Sequence, residues 1–269
     1  MADTLFDVSG KTVLVSGGSR GIGLAVALAF AERGARVIIT GRDETSLREA
    51  CGSAEGSPER MTHACCDVAD PATIQTCVDD VVAEFGRIDT LINCAGVNIR
   101  KPAVDYSPEE FDAIMDINLR GAFFMAQAVG RHMIGRGEGC IVNVDSLTSS
   151  KPLTQIAPYS MSKAGLSSMT RALALEWGAQ GVRVNGLAPG FILTELTRKL
   201  WADPNLQSWN RTVTPLGRMG SVEDLVGAAI FLASPASAFL TGQTIRVDGG
   251  ITCGLNWPIG GDYQVTCDA

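Results

Sequence analysis

In the stretch PYSMSKAGL a phenol, Tyr159, precedes an ammonium, Lys163, by four residues. On a helix that spacing puts both side chains on one face, one turn apart. A phenol ordinarily ionises near pH 10 and is a poor base at neutrality unless positive charge stabilises its anion. Lys163 would supply that charge, and a phenol tuned toward the working pH suits general acid–base catalysis. Upstream, Ser146 closes the run CIVNVDS. A hydroxyl there would donate a hydrogen bond to a substrate oxygen whose charge grows during reduction. Together the three suit proton transfer at an alcohol while a hydride moves at its carbon. The plain alternatives are a solvated Tyr/Lys helix face and a strand-end Ser that only caps; the joint order of these groups and a phosphate-binding turn argues against coincidence.

These side chains meet only if strands and helices alternate. The runs KTVLVS, ARVIIT, MTHACC, RIDTLIN, CIVNVD, VRVNGLA and QTIRV are separated by helical patterns at 21–33, 44–51, 71–85, 107–133 and 158–179, then by a polar segment and a helical pattern at 222–232. Seven such runs predict an α/β protein: a single-domain Rossmann fold over residues 1–269, with a doubly wound seven-stranded parallel sheet and helices on both faces. Residues just past the C-terminal ends of parallel strands line the ligand crevice, where Ser146 and Tyr159 would converge. Two stretches break the regular beat. Residues 194–220, rich in Trp, Arg and Pro, read as a substrate lid; the tail 251–269, apolar around Trp257 and Ile259, reads as a docked segment.

After the first run comes SGGSRGIG, with Gly17, Gly21 and Gly23 at a strand-to-helix turn. Glycines there let the backbone turn tightly and approach a pyrophosphate, and the helix N-terminus supplies unpaired N–H donors. A merely flexible turn is the alternative, made weaker by the placement between first strand and first helix. The second run ends ITGRD, so Arg42 stands where an acidic residue would bind a free ribose 2′-hydroxyl. With Arg20 it favours a 2′-phosphate, hence NADP(H); Asp43, the next residue, keeps NAD(H) possible.

Composition narrows the partners. A net charge of −7 and a pI near 4.9 argue against nucleic acid, which requires a basic patch. No apolar run is long enough to cross a bilayer, and the N-terminal residues MADTLFDVSG lack a signal pattern, so the expectation is a soluble cytoplasmic protein that does not engage membranes. Eight cysteines without a CxxC pair read as reduced, mostly buried thiols, and neither His63 nor His132 has a companion at metal-ligand spacing, so no metal is expected.

The pieces SGGSRGIG, CDV, NCAG, MDINLRG, VNVDS, YSMSK and LAPGFILTE, in that order, resemble the short-chain dehydrogenase/reductase family over nearly the full length. The resemblance implies a cofactor loop at Gly17, Ser19, Arg20, Gly21, Ile22 and Gly23, with Asp67 and Val68 beside the adenine. It implies further cofactor contacts from Asn93, Ala95 and Gly96, although Asn93 has the alternative of only pinning backbone. Asn118 would hold a water-linked proton relay and complete a catalytic set with Ser146, Tyr159 and Lys163. Tyr159 and Lys163 would also border the nicotinamide ribose, and Pro189, Gly190, Ile192 and Thr194 its carboxamide. Two positions depart from the family pattern: Ser16 replaces a Thr, keeping the hydroxyl, and Cys94 replaces an Asn.

Within the family, AGVNIRKPA and TPLGRMGSVEDLVGAAIFL are similar to the gluconate 5-dehydrogenase group, which implies a small polar substrate such as a sugar acid or polyol. Arg100 would then meet a carboxylate, or else be a solvated loop charge. Trp201 and Trp209 would stack on sugar CH groups, or else pack in the core or an interface. The resemblance also implies a homotetramer, with the tail at a subunit interface. The competing readings are a 3-oxoacyl-carrier reductase of the same family and a catalytically idle cofactor-binding redox sensor or scaffold.

Overall fold

The computed structural model of this chain describes residues 4–54 and 58–254. At its centre β1 (Thr12–Ser16) pairs in parallel with β2 (Arg36–Gly41) on one side and β4 (Thr90–Asn93) on the other. β3 (Met61–Cys65), β5 (Gly139–Val144), β6 (Val182–Pro189) and β7 (Thr244–Val247) complete a parallel sheet of seven strands in the order 3-2-1-4-5-6-7. The order reverses between β1 and β4, and at that reversal the connections leave to opposite faces and open a crevice above the strand ends.

The strands are almost wholly apolar because both faces are covered. Val13 and Val15 point to a core shared with Val26 and Phe30 of α1 (Gly21–Glu32) and Leu225 of α9 (Glu223–Ala233). Leu14, between them, points to the opposite core, with Val78 of α3 (Pro71–Phe85), Met125 of α5 (Ala122–Arg136) and Leu166 of α6 (Ala157–Trp177). Helix starts differ in a useful way. α2 (Glu44–Gly52) and α3 are capped by the carboxylates of Asp43 and Asp70, whereas α1 begins after Arg20 with no side-chain cap, leaving its first N–H groups to the crevice.

The helical pattern over 107–133 is one helix by sequence and two in the structure. α4 (Pro108–Met115) passes through a π-turn at Asp116–Gly121 into α5. The packing makes the reason visible: a Cβ on Gly121 would lie 2.3 Å from the Val68 carbonyl oxygen, so helix and post-β3 loop touch through bare backbone. Apolar spacing alone does not distinguish a π-turn from a regular one, since the inserted residue only rotates the stripe.

The polar segment 194–220 also has more order than its composition indicates. It contains α7 (Glu195–Arg198), a tight turn at Leu200–Ala202 and α8 (Pro204–Val213). Its ends are stapled together, with Leu193 N–H donating to Gly220 O at 2.9 Å and Gly220 N–H to Phe191 O at 2.9 Å. In the tail, Trp257, Ile259 and Cys267 lie outside the described residues. Of the other cysteines, Cys66, Cys77 and Cys140 are buried, Cys51 and Cys94 are partly so, and Cys65 and Cys253 are exposed, so burial is less general than their apolar contexts predict. Among the described residues no helix is long and apolar enough to cross a membrane.

Gly121→Ala is expected to lower the unfolding free energy by about 1–3 kcal/mol through overpacking. Gly135→Ala, on α5 where a Cβ meets open space, is expected to raise it by about 0.5–1 kcal/mol. Denaturant midpoints of the two variants check the opposite signs.

Candidate active site

A cavity of about 1150 Å³ opens over the C-terminal ends of the central strands. One end is the glycine turn, where Gly17 has φ of 76° and a Cβ would stand 2.7 Å from the Ala95 Cα. A Cβ on Gly23 would stand 2.2 Å from the Gly17 carbonyl oxygen, so α1 enters this tightly only on a residue without one. Ser19, Arg20, Gly21 and Ile22 complete that wall.

Beyond the turn, Arg20 and Arg42 border the cavity, both exposed. Neither has an acidic partner among the described residues. Asp43 is differently engaged: its carboxylate accepts from Ser46 N–H at 2.7 Å and Ser46 Oγ at 2.6 Å. Those bonds to Ser46 hold the Asp43 carboxyl below the usual carboxylate range, so this acid is already committed as the cap of α2. Asp67 and Val68 line the neighbouring wall, where Asp67 accepts from Ala69 N–H at 3.0 Å.

The other end holds Ser146, Tyr159 and Lys163 on one wall. Lys163 is only 4% exposed; its Nζ donates to the Val144 carbonyl at 2.8 Å and lies 5.8 Å from the centre of the Tyr159 ring. Ser146 Oγ accepts from Thr148 N–H at 3.1 Å and from Thr148 Oγ1 at 2.9 Å. Both bonds use Ser146 as acceptor, leaving its own O–H to donate. Burial pushes the nearby Cys94 thiol up to about 11, so the residue that departs from the family pattern stays protonated there. Ala95 and Gly96 continue the wall, and a Cβ on Gly96 would stand 3.8 Å from Lys163 Nζ. After β6 the wall is Pro189, Gly190, Ile192 and Thr194, with Thr194 also capping α7.

Two expected contacts lie elsewhere. Asn93 is buried inside the sheet, its amide donating to Ala122 O at 2.7 Å and Asn143 Oδ1 at 3.3 Å. It is not among the residues that line the cavity, and the bonds it makes are of the backbone-pinning kind. Asn118 is fully buried: Oδ1 accepts from Val97 N–H at 2.8 Å, and Nδ2 donates to Val97 O at 2.9 Å and Ser162 Oγ at 3.1 Å. Ser162 Oγ in turn donates to Tyr159 O at 2.7 Å. The Asn118 side chain, within the π-turn, thus ties the loop after β4 to Ser162 and through it to the Tyr159 backbone.

Toward the outer mouth, Arg100 is exposed on the cavity rim, while Lys101 is diverted into an ion pair with Glu110 at 2.6 Å. Trp201 is buried edge-on against Phe191, ring centres 5.1 Å apart, and Trp209, 42% exposed, lies 5.5 Å from the same ring. Both Trp residues face the cavity, so packing and lining are not exclusive uses.

Among the wall residues that sequence reasoning passed over are Asp145, Phe191 and Gln155. Phe191 and Asp145 lie inside the motifs LAPGFILTE and VNVDS and were within reach of the sequence. Gln155 carries no signal; it is the non-glycine residue with positive φ, 65°, among the described residues, held by Lys101 N–H donating to its carbonyl at 2.9 Å. No cluster of three or more potential metal ligands occurs among the described residues.

A glycine-rich turn at an uncapped helix start, set at the sheet's reversal point, fits a dinucleotide pyrophosphate. Fold and site together define a nicotinamide dinucleotide oxidoreductase. A family model described as enoyl-(acyl carrier protein) reductase matches residues 17–252. Gluconate 5-dehydrogenase of Gluconobacter oxydans is 44% identical over 251 residues, covering 93% of this chain and 98% of that one. D-threitol dehydrogenase of Mycolicibacterium smegmatis is 40% identical, covering 92% and 95%. The crystal structure of a gluconate 5-dehydrogenase from Burkholderia cenocepacia, in complex with NADP and tartrate, superposes with a TM-score of 0.89 at 41% identity, covering 94% and 99%. The chain belongs to the short-chain dehydrogenase/reductase family and is an enzyme acting on CH–OH groups.

Gly23→Ala is expected to weaken NADPH binding by at least about tenfold, 1.4 kcal/mol, because α1 must withdraw from the turn. Fluorescence titration of the nucleotide checks it, with Gly52→Ala, where a Cβ meets nothing within 4 Å, as the unaffected control.

Proposed function

We propose that the protein is a cytoplasmic NADP(H)-dependent oxidoreductase that interconverts a secondary alcohol and a ketone on a sugar acid or related polyol. The observation that carries this reading is the shared wall of Ser146, Tyr159 and Lys163 at one end of a cavity whose other end is the glycine turn with Arg20 and Arg42. When bound, the nicotinamide supplies or accepts the hydride at the carbinol carbon.

Tyr159 Oη takes the alcohol proton in oxidation and returns it in reduction. The Lys163 ammonium favours the phenolate form of that oxygen, and the remaining N–H donors of Nζ serve the nicotinamide ribose. Ser146 donates to the substrate oxygen as negative charge develops on it. Asn118 acts through position, holding the Val97 loop and, through Ser162, the backbone of Tyr159. Arg20 and Arg42 bind the 2′-phosphate, a reading supported by the commitment of Asp43 to Ser46. Asp67 and Val68 border the adenine. Residues 194–220 form the lid, hinged where Ile192 bridges Gly220 and carrying Trp201 and Trp209 toward the substrate. Arg100 at the rim receives a carboxylate. A homotetramer belongs to the same reading, supported by the hollow that Phe123, Met169 and Trp177 line between α5 and α6.

Tyr159→Phe is expected to lower kcat by about 10²–10⁴-fold while nucleotide binding persists. Wild-type turnover in that variant would remove the proposal. Arg42→Ala should raise KM for NADPH roughly tenfold or more, the loss of about 1.5–3 kcal/mol for a charge-assisted bond, and leave KM for NADH nearly unchanged. Equal effects on both nucleotides would exclude the phosphate role. For substrate class, Arg100→Ala should depress kcat/KM for carboxylated substrates more than for neutral polyols; preferred turnover of a 3-oxoacyl thioester by the wild type would replace the sugar-acid assignment.

A further inference from the structure

Asp145 sits between Val144, whose carbonyl receives the Lys163 ammonium at 2.8 Å, and Ser146. It is 3% exposed, so its carboxylate has lost most of its hydration. Along β5, Asn143 turns toward α6 and donates to Thr170 Oγ1 at 2.9 Å. The alternation of strand side chains carries Asp145 to the same face. There it meets the charge of Lys163, and the Ser146 N–H and the Ser149 and Ser167 hydroxyls are the donors beside it. Burial pushes the carboxyl up from its ordinary value, and the Lys163 ammonium pulls it back down. The other titratable groups around the pair are Tyr159 on α6 and Cys94 after β4, while residues 184–189 of β6 include none.

We propose that Asp145 is a positioning residue for proton transfer: buried next to Ser146 and to the carbonyl that holds Lys163, its carboxyl limits how much of the ammonium's field reaches the Tyr159 oxygen. The inference rests on the reading of Tyr159 as acid and base. An anion beside the ammonium offsets part of its attraction for the phenolate, so removing the anion lets the phenol give up its proton at lower pH. In this role Asp145 acts through Lys163.

The test is kcat/KM against pH for alcohol oxidation in Asp145→Asn and Asp145→Ser. In both, the acid limb is expected to move down by roughly one pH unit relative to wild type, with NADP binding retained. A second readout is thermal stability. A carboxyl raised by folding opposes the folded state increasingly as pH climbs above the ordinary carboxylate range. The Asn variant should therefore gain stability over wild type at pH 8, and the gain should vanish near pH 4. Acid limbs that coincide with wild type in both variants would overturn the inference; should the Asn variant fail to fold, the Ser variant decides. Tyr159→Phe separates the two claims. Full activity there defeats the Tyr159 reading itself, whereas an inactive Tyr159→Phe beside unmoved Asp145 limbs defeats this inference alone.

Discussion

One hydrogen bond organises the reaction end of this protein: the Lys163 ammonium donating to the Val144 carbonyl. A buried ammonium is expensive to desolvate, by several kcal/mol even after relaxation, and holds its place only where the surroundings compensate. The compensation comes from a strand end. β5 ends at Val144, and α6 passes close enough to deliver Nζ to its carbonyl. The same contact sets the distance between strand end and helix, and so brings Ser146 and Tyr159 onto a common wall. With one donor spent on backbone, the lysine cannot swing away to solvent.

Charge on the cavity wall is balanced, Arg20, Arg42, Arg100 and Lys163 against Asp43, Asp67, Asp145 and Glu195, although the whole chain carries a net −7. Among the described residues Arg20 and Arg42 have no acidic partner. An acidic surface would repel a phosphorylated ligand at long range, so attraction must be local and short, within about a Debye length of 8–10 Å. Asp43 shows how acids near the site are kept from cancelling it: the carboxylate is turned to its own helix by Ser46. Asp145 is placed differently, buried within the field of Lys163.

Rigidity around the site comes from bonds that link loops separated in sequence. Asn118 joins the loop after β4 to α6, and Tyr106 Oη donates to both Ile99 O and Gln155 O, locking the Arg100 loop to the segment that precedes Tyr159. Gln155 accepts a left-handed backbone as part of that lock, a strain tolerated where tertiary contacts overdetermine the conformation. The segment 194–220, tied to the sheet mainly at its two ends, is freer by comparison and is the element best suited to move.

The sequence by itself determined the alternating architecture, the glycine turn and the Ser146, Tyr159 and Lys163 set. Those features are encoded locally, in β-branched runs, in glycines that no side chain can replace, and in a spacing of four that a helix converts into adjacency. Only the tertiary structure decided the rest. Asn93 and Asn118 each stand in a motif that points at the cavity, yet their amides are consumed by Ala122, Asn143, Val97 and Ser162, partners up to 50 residues away. The π-turn at Asp116–Gly121, the helices inside 194–220, the cap that occupies Asp43 and the burial of Asp145 are likewise settled by which groups come to face one another. A residue's type sets what bonds it can make; which of them it makes depends on neighbours that the linear order does not place beside it.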